Sequence, residues 1–262
     1  MVLCVVAEKP RISCIISTYS DIEFVEKKIS EIQKQTIFEE AEFIFVETNS
    51  PEHEREVIRP YTEKFSNIRL ITRDERKTLY EAWNIGWQEA SADIICNSNM
   101  DDALHPRCLE YIVARMDTEP SVDLCSVMIA YQSQESPGSR DNFDPIRLKK
   151  LKIGRRPGPF SAWRKNIDKK IGMFDEHYKI MGDMDFWSQA AHKKLNAALI
   201  KKVLYLYTIA SSQLSKRSDK SDEKQYAVQK GIKLDWHPKV AREILFHRKI
   251  FTVFPRLYMV EP

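Results

Sequence analysis

The stretch A-D-I-I-C-N-S-N-M-D-D-A-L-H-P, residues 92–106, changes character halfway along. Residues 93–97 form a short apolar run of the kind that makes a buried strand. The polar cluster Asn97-Ser98-Asn99-Met100-Asp101-Asp102 follows, and then Pro106, a residue suited to the first helical position. A strand that ends in clustered oxygen donors and runs into a helix is the unit of an α/β sheet, whose ligands sit in the crevice beyond the carboxyl ends of the strands. Asp101 and Asp102 set adjacent carboxylates beside the Asn99 amide at that junction. Hard divalent cations, Mg2+ or Mn2+, take such oxygen ligands and complete their shell with substrate phosphates and water. An aspartate at this place also serves as an ordinary helix cap, the commoner role for an isolated pair.

Outward from this junction the alternation repeats. Residues 11–17 read as a buried strand, and residues 21–33 follow as a helix with Ile22, Val25, Ile29 and Ile32 on one face. Residues 42–46 and 68–72 are two more strands, separated by a charged helix over 51–65 opened by Pro51. Leu79, Ala82, Trp83, Gly86, Trp87 and Ala90 form an apolar stripe at helical spacing. After the 92–106 junction, Leu109, Ile112, Val113 and Met116 mark a helix and residues 123–130 a strand. Residues 131–159 lose periodicity, and Arg147, Lys149, Lys150, Lys152, Arg155 and Arg156 crowd into the ten positions 147–156, which predicts a long basic loop, either a solvated charge run or a flap over phosphate. Residues 183–194 read as a helix, 203–209 as a strand, 211–223 as a polar flexible segment and 240–254 as a basic, aromatic helical extension.

The strand ends therefore offer Ser17-Thr18-Tyr19, Glu47-Thr48-Asn49-Ser50, Arg73-Asp74 and the Asn99 to Asp102 cluster for ligand contact. A length of 262 residues suits one main domain with a small appendage. With 41 basic and 38 acidic residues the net charge is only +3, which argues against a nucleic-acid protein as a whole and leaves any basic patch local. Five cysteines without C-x-x-C spacing point to a reducing compartment and no structural zinc. No apolar run approaches the roughly 20 residues of a membrane span, so the expected setting is cytoplasmic, with peripheral contact at the inner face of a membrane allowed. P-loop, dinucleotide-fold and hydrolase-elbow motifs are missing from the sequence.

In order and spacing, I-S-C-I-I-S-T-Y (12–19), E-F-I-F-V-E-T-N-S (42–50), E-A-W-N-I-G (81–86), the 92–106 stretch, G-M-F-D-E (172–176) and G-D-M-D-F-W (182–187) resemble glycosyltransferase family 2 on the GT-A fold. The resemblance covers roughly residues 11–210. It implies a Rossmann-like, mostly parallel sheet flanked by helices, with residues 1–210 as the GT-A domain (a nucleotide-sugar half to about 130, an acceptor half beyond it) and 211–262 as a C-terminal extension. It further implies an inverting transfer from a nucleotide-diphosphate sugar, UDP-linked by expectation, to a hydroxyl of a glycan, lipid-linked or protein acceptor. The missing Q-x-x-R-W motif implies addition of single sugars.

By that resemblance Thr18, Tyr19 and Glu47 contact the nucleotide, where the family usually has two aspartates in place of Glu47-Thr48. The D-x-D motif maps to Asn99-Met100-Asp101, making Asp101 the metal ligand; Asn99 brings no charge. Asp102 is then a cap or a supporting acceptor. Asp183 matches the general base, with N-capping of its own helix compatible with that role. Asn84 and Arg164 are further candidate donor contacts, Arg164 through a phosphate. The departures at Asn99 and Glu47-Thr48 keep a second reading open, a GT-A-like protein that binds nucleotide or glycan without turnover. A transferase acting on nucleic acid has only the basic loop behind it.

Overall fold

The computed structural model describes residues 9–134, 142–148, 150–154, 159–209 and 221–231. A sheet of nine strands organises them, in the order β3-β2-β1-β4-β8-β6-β9-β5 with β7 on β6. The strands are β1 (Ile12–Thr18), β2 (Ala41–Thr48), β3 (Ile68–Arg73), β4 (Ile94–Asn97), β5 (Ala103–Leu104), β6 (Leu124–Ser133), β7 (Lys152–Gly154), β8 (Ala162–Arg164) and β9 (Ala197–Ile209). The helices are α1 (Ile22–Ile32), α2 (Glu54–Lys64), α3 (Leu79–Glu89), α4 (Cys108–Thr118), α5 (Pro145–Leu148), α6 (Asp168–Ile171), α7 (Gly182–His192) and α8 (Ser221–Gln229).

β3, β2, β1 and β4 are parallel; β1, β2 and β4 are buried along nearly their whole length, as parallel strands covered on both faces are, while β3 at the end of the order is mostly half-buried. Alternate residues supply the two layers. Ile12, Cys14 and Ile16 pack with Val25 and Ile29 of α1 and Leu109, Ile112 and Met116 of α4. Ile15, Ile44 and Val46 pack with Trp83 and Trp87 of α3 and Phe186 of α7. Gly86 lets α3 lie against β1, since a Cβ there would come within 2.5 Å of the Ile15 side chain.

Beyond β4 the mostly parallel expectation gives way to a mixed sheet. β8 runs antiparallel to both β4 and β6, whereas β6 and β9 are parallel with a register shift around Met128. Sequence reading missed β5, β7 and β8, which are two or three residues long and too short to show periodicity. It started β9 late because Lys201-Lys202 interrupts its apolar run. α2 begins at Glu54, after Pro51, with His53 in the left-handed region at its start, and α4 begins two residues after Pro106.

The expected 131–159 loop is in part structured, since β6 continues to Ser133 and pairs with β7. Lys149, Arg155 and Arg156 of the basic run lie outside the described residues, as do residues 211–220 and the proposed extension at 240–254. α8 starts at Ser221, inside the end of the segment read as flexible. Cys14, Cys96, Cys108 and Cys125 are free and buried, and among the described residues no helix is long and apolar enough to cross a membrane.

Candidate functional site

The carboxyl ends of β1, β2 and β4 share one edge of the parallel half-sheet, and the polar residues that end them form a rim. The N-M-D-D loop after β4 is held from below. Lys28 of α1, fully buried, donates from Nζ to the Asp102 carbonyl (2.8 Å), to Ser98 Oγ (3.2 Å) and to Glu31 (3.1 Å), which satisfies a cation that would be prohibitively costly unpaired. Asp102 does not cap α4. Its carboxylate accepts from Tyr205 OH (2.7 Å), the Thr208 N–H (2.7 Å) and Asn99 Nδ2 (2.9 Å), tying the loop to β9. Burial, with Asp101 beside it, raises the Asp102 carboxyl well above the usual range.

Asp101 is left at the rim, half-buried, as the carboxylate that acts electrostatically on Asp21, Asp102 and Tyr205. Asn99 Oδ1 is buried and accepts no hydrogen bond. No group of three or more His, Cys, Asp or Glu stands ready for a metal among the described residues. One carboxylate and one spare amide oxygen nevertheless fit a hard divalent ion that takes its remaining ligands from diphosphate and water.

Across the rim, Thr18 lies under Glu54, whose Oε1 accepts from the Asp21 N–H (2.7 Å) and whose Oε2 is buried without a partner. Tyr19 carries the Arg76 guanidinium 4.2 Å above its ring. Ser20, Asn49 and His53, all non-glycine residues with φ of 55–57°, bend the two loops. Glu47 is fully buried, its carboxylate accepting from the Ser50 N–H and Arg55 Nε.

Burial, with Asp101, Glu54 and Glu52 nearby, pushes Asp21 up to about 7. Between the ordinary carboxylate range and pH 7 the native state therefore holds more protons at Asp21 than the unfolded chain, so this group costs stability as pH rises, fully so above 7. Asp21→Asn in the metal-free protein is expected to raise stability by on the order of 1–3 kcal/mol at pH 8 and by nothing at pH 4, a difference thermal melts at the two pH values would show.

Asp183 sits in the first turn of α7. Its Oδ1 accepts from the Met184 N–H (2.8 Å); Tyr80 OH donates chiefly to the Ile180 carbonyl (2.8 Å) and shares that hydrogen weakly with Asp183 Oδ1 at 3.4 Å. Tyr80 stands in the first turn of α3, at the end of the connection that leaves the carboxyl end of β3, so Asp183 lies beside that connection. A Cβ on Gly182 would meet the buried Tyr80 ring at 2.7–2.8 Å. Gly182→Ala is expected to displace that ring, costing about 1–3 kcal/mol of stability and about tenfold in turnover with donor affinity unchanged, as melting curves and steady-state kinetics would register.

Two sequence-predicted residues fall elsewhere. Arg164 pairs with Ile94 at the amino end of β4, and its guanidinium donates to the carbonyls of Met116 (2.7 Å) and Val122 (2.9 Å), so it ties β8 to α4 at the opposite edge of the sheet. Asn84 is spent on Phe174 and Glu176: its Nδ2 donates to the Phe174 carbonyl and Glu176 Oε1, and its Oδ1 accepts from the Phe174 N–H. It braces the G-M-F-D-E turn, with both of its amide hydrogens spent within the protein. Lys28, Arg76, Tyr80 and Tyr205 were missed; only Tyr80 had a local signal, in the Thr78 to Glu81 capping box that fixes the start of α3.

A family model described as glycosyl transferase family 2 matches residues 13–183, more than half of the chain, and takes in the whole rim. The chain belongs to glycosyl transferase family 2. Glycosyltransferase AglE of Haloferax volcanii is similar, 25% identical over 190 residues, 70% of this chain and 61% of AglE. The chain thus spans about three fifths of the length of that curated relative. Among solved structures, S. aureus TarS 1–349 in complex with UDP-GlcNAc is similar with a TM-score of 0.62 at 17% identity over 90% of this chain and 66% of that one. The mannosyltransferase PcManGT from Pyrobaculum calidifontis, in complex with GDP-Man and Mn2+, is similar with a TM-score of 0.57 at 16% identity over 78% of this chain and 58% of that one. These likenesses establish the GT-A fold.

Proposed function

We propose that the chain is an inverting, non-processive glycosyltransferase that moves one sugar from a nucleotide-diphosphate donor, UDP-linked in the first instance, to an acceptor hydroxyl. What supports this reading is membership of family 2, together with Asp101 in the loop that ends β4 and Asp183 beside the Tyr80 hydroxyl at the start of α3. Thr18 and Tyr19 line the nucleotide end. Glu47 contributes there through the lone pair that each of its oxygens keeps beyond Arg55 and Ser50.

Asp101, with Asn99 Oδ1, is the place for a divalent ion, and UDP-GlcNAc and GDP-Man with Mn2+ in the similar structures support a nucleotide sugar with a metal here. A bound Mg2+ or Mn2+ supplies charge that offsets what develops on the departing diphosphate. Asp183 takes the proton of the acceptor hydroxyl as that oxygen attacks the anomeric carbon, and Tyr80 and the Met184 N–H keep its carboxylate aimed. Attack from the face opposite the diphosphate inverts the anomeric configuration. Incubation with labelled UDP- and GDP-sugars and Mn2+ is the test: transfer or slow donor hydrolysis with at least one donor is expected, and inertness toward the whole panel would defeat the proposal.

The orphaned buried oxygens at Asn99 and Glu54 favour a second reading as a binding module, in which these oxygens meet ligand without turnover. In that case nucleotide binds and no donor is consumed.

A further inference from the structure

α8 lies beyond the residues matched by the family model, yet it grips the segment that carries Asp183. Glu223, buried in the first turn of α8, accepts four hydrogen bonds from three consecutive backbone N–H groups. They come from Lys179 (2.7 Å), Ile180 (3.1 and 3.3 Å) and Met181 (2.9 Å), the residues that lead into α7. The peptide of Ile180 is thereby held at both ends, its N–H by Glu223 and its carbonyl by Tyr80 OH, the hydroxyl that also reaches Asp183.

The other end of α8 is tied down independently. Just past it, Lys230 bridges Asp175 (2.7 Å) and Asp185 (3.1 Å), one on each side of the same turn. The Tyr226 ring stacks on His177 at 3.8 Å between centroids, and its hydroxyl donates to Asp175 (3.1 Å). A carboxylate that accepts several charge-assisted bonds from backbone amides is a strong and directional anchor. Of the three residues Met181 is buried, Ile180 half-buried and Lys179 exposed, so the Met181 N–H is the one that would be costly to leave unpaired.

We propose that Glu223 is a positioning residue for sugar transfer, fixing the 179–181 turn and through Tyr80 the direction of the Asp183 carboxylate. This rests on the reading of Asp183 as the base. It makes α8 a working part of the site, although α8 lies outside the sequence pattern of the family.

The test uses the full chain with the donor found active, and compares Glu223→Ala and Glu223→Gln with Asp183→Asn. Turnover is counted per donor-binding site, titrated calorimetrically with UDP and Mn2+, so that misfolded protein does not enter. Glu223→Ala is expected to lose about 10- to 100-fold in kcat per site, the scale of a displaced catalytic group, with donor KM and UDP affinity within about twofold of wild type. Glu223→Gln, which keeps one acceptor oxygen, is expected to recover part of the loss. Unchanged kcat per site in both variants, whatever their melting temperatures, would overturn the proposal. Failure of both variants to fold would also overturn it, since Glu223 would then serve stability alone. Asp183→Asn separates the two claims. If that variant is inactive while Glu223→Ala is fully active, only the positioning role falls; if it retains transfer, the base reading falls and takes the positioning role with it.

Discussion

Asp183→Asn is expected to lower kcat by about 100- to 10,000-fold, the range a positioned general base contributes, while UDP and donor-sugar affinities stay unchanged. The substitution isolates the chemistry because asparagine keeps an oxygen where Asp183 Oδ1 accepts from Tyr80 OH and the Met184 N–H. Both of these contacts can therefore persist in the variant. What is lost is a carboxylate able to take a proton from the acceptor hydroxyl. Single-turnover kinetics alongside calorimetric binding of UDP would show the split. A parallel loss of donor affinity would instead mark Asp183 as a binding group, and full retention of turnover would remove it from the chemistry.

The second large effect is expected at Asp101. Asp101→Ala removes the rim carboxylate that sits beside Asp21, Asp102 and Tyr205, and with it the charged protein ligand proposed for the divalent ion. Metal stabilisation of a departing diphosphate is worth several kcal/mol, so kcat/KM is expected to fall by about 100-fold or more. Chelation of the wild-type protein should produce a loss of similar size, restored by Mn2+ or Mg2+, whereas the variant should respond weakly to either. The fold should survive, because Asp102, Asn99, Lys28 and Tyr205 keep their own bonds that hold the loop. If chelation leaves transfer untouched, the metal has no part in the reaction.

Much of this arrangement was legible in the sequence because it is local. The run Ile12–Thr18, the Trp83 and Trp87 stripe and the oxygen cluster after β4 each announce themselves within about ten residues, and the strand-end rule then gathers Thr18, Tyr19, Glu47 and Asp101 at one edge. What stayed hidden depends on partners far along the chain. Arg164 stands close to G-M-F-D-E in sequence, but it sits in an antiparallel strand whose direction turns it to the amino edge, next to a cavity of about 590 Å³ lined by Asp93, Lys165 and Lys169. Asn84 reads as a polar residue on a helix flank, and only the fold shows its amide spent on Phe174 ninety residues away. Tyr80 lies next to an apolar stripe, and nothing local reveals that its hydroxyl reaches Asp183. The same holds for Glu223, whose acidic side chain reads as surface charge until the three amides of the α7 entrance close around it.

A crystal structure of the protein with UDP and Mn2+ is expected to show the metal on Asp101, the diphosphate oxygens completing its shell, the uridine against Thr18, Tyr19 and Glu47, and Asp183 facing open space on the side where an acceptor would enter. A nucleotide seated elsewhere, for instance in the cavity beside Arg164, or a metal bound away from Asp101, would contradict that placement.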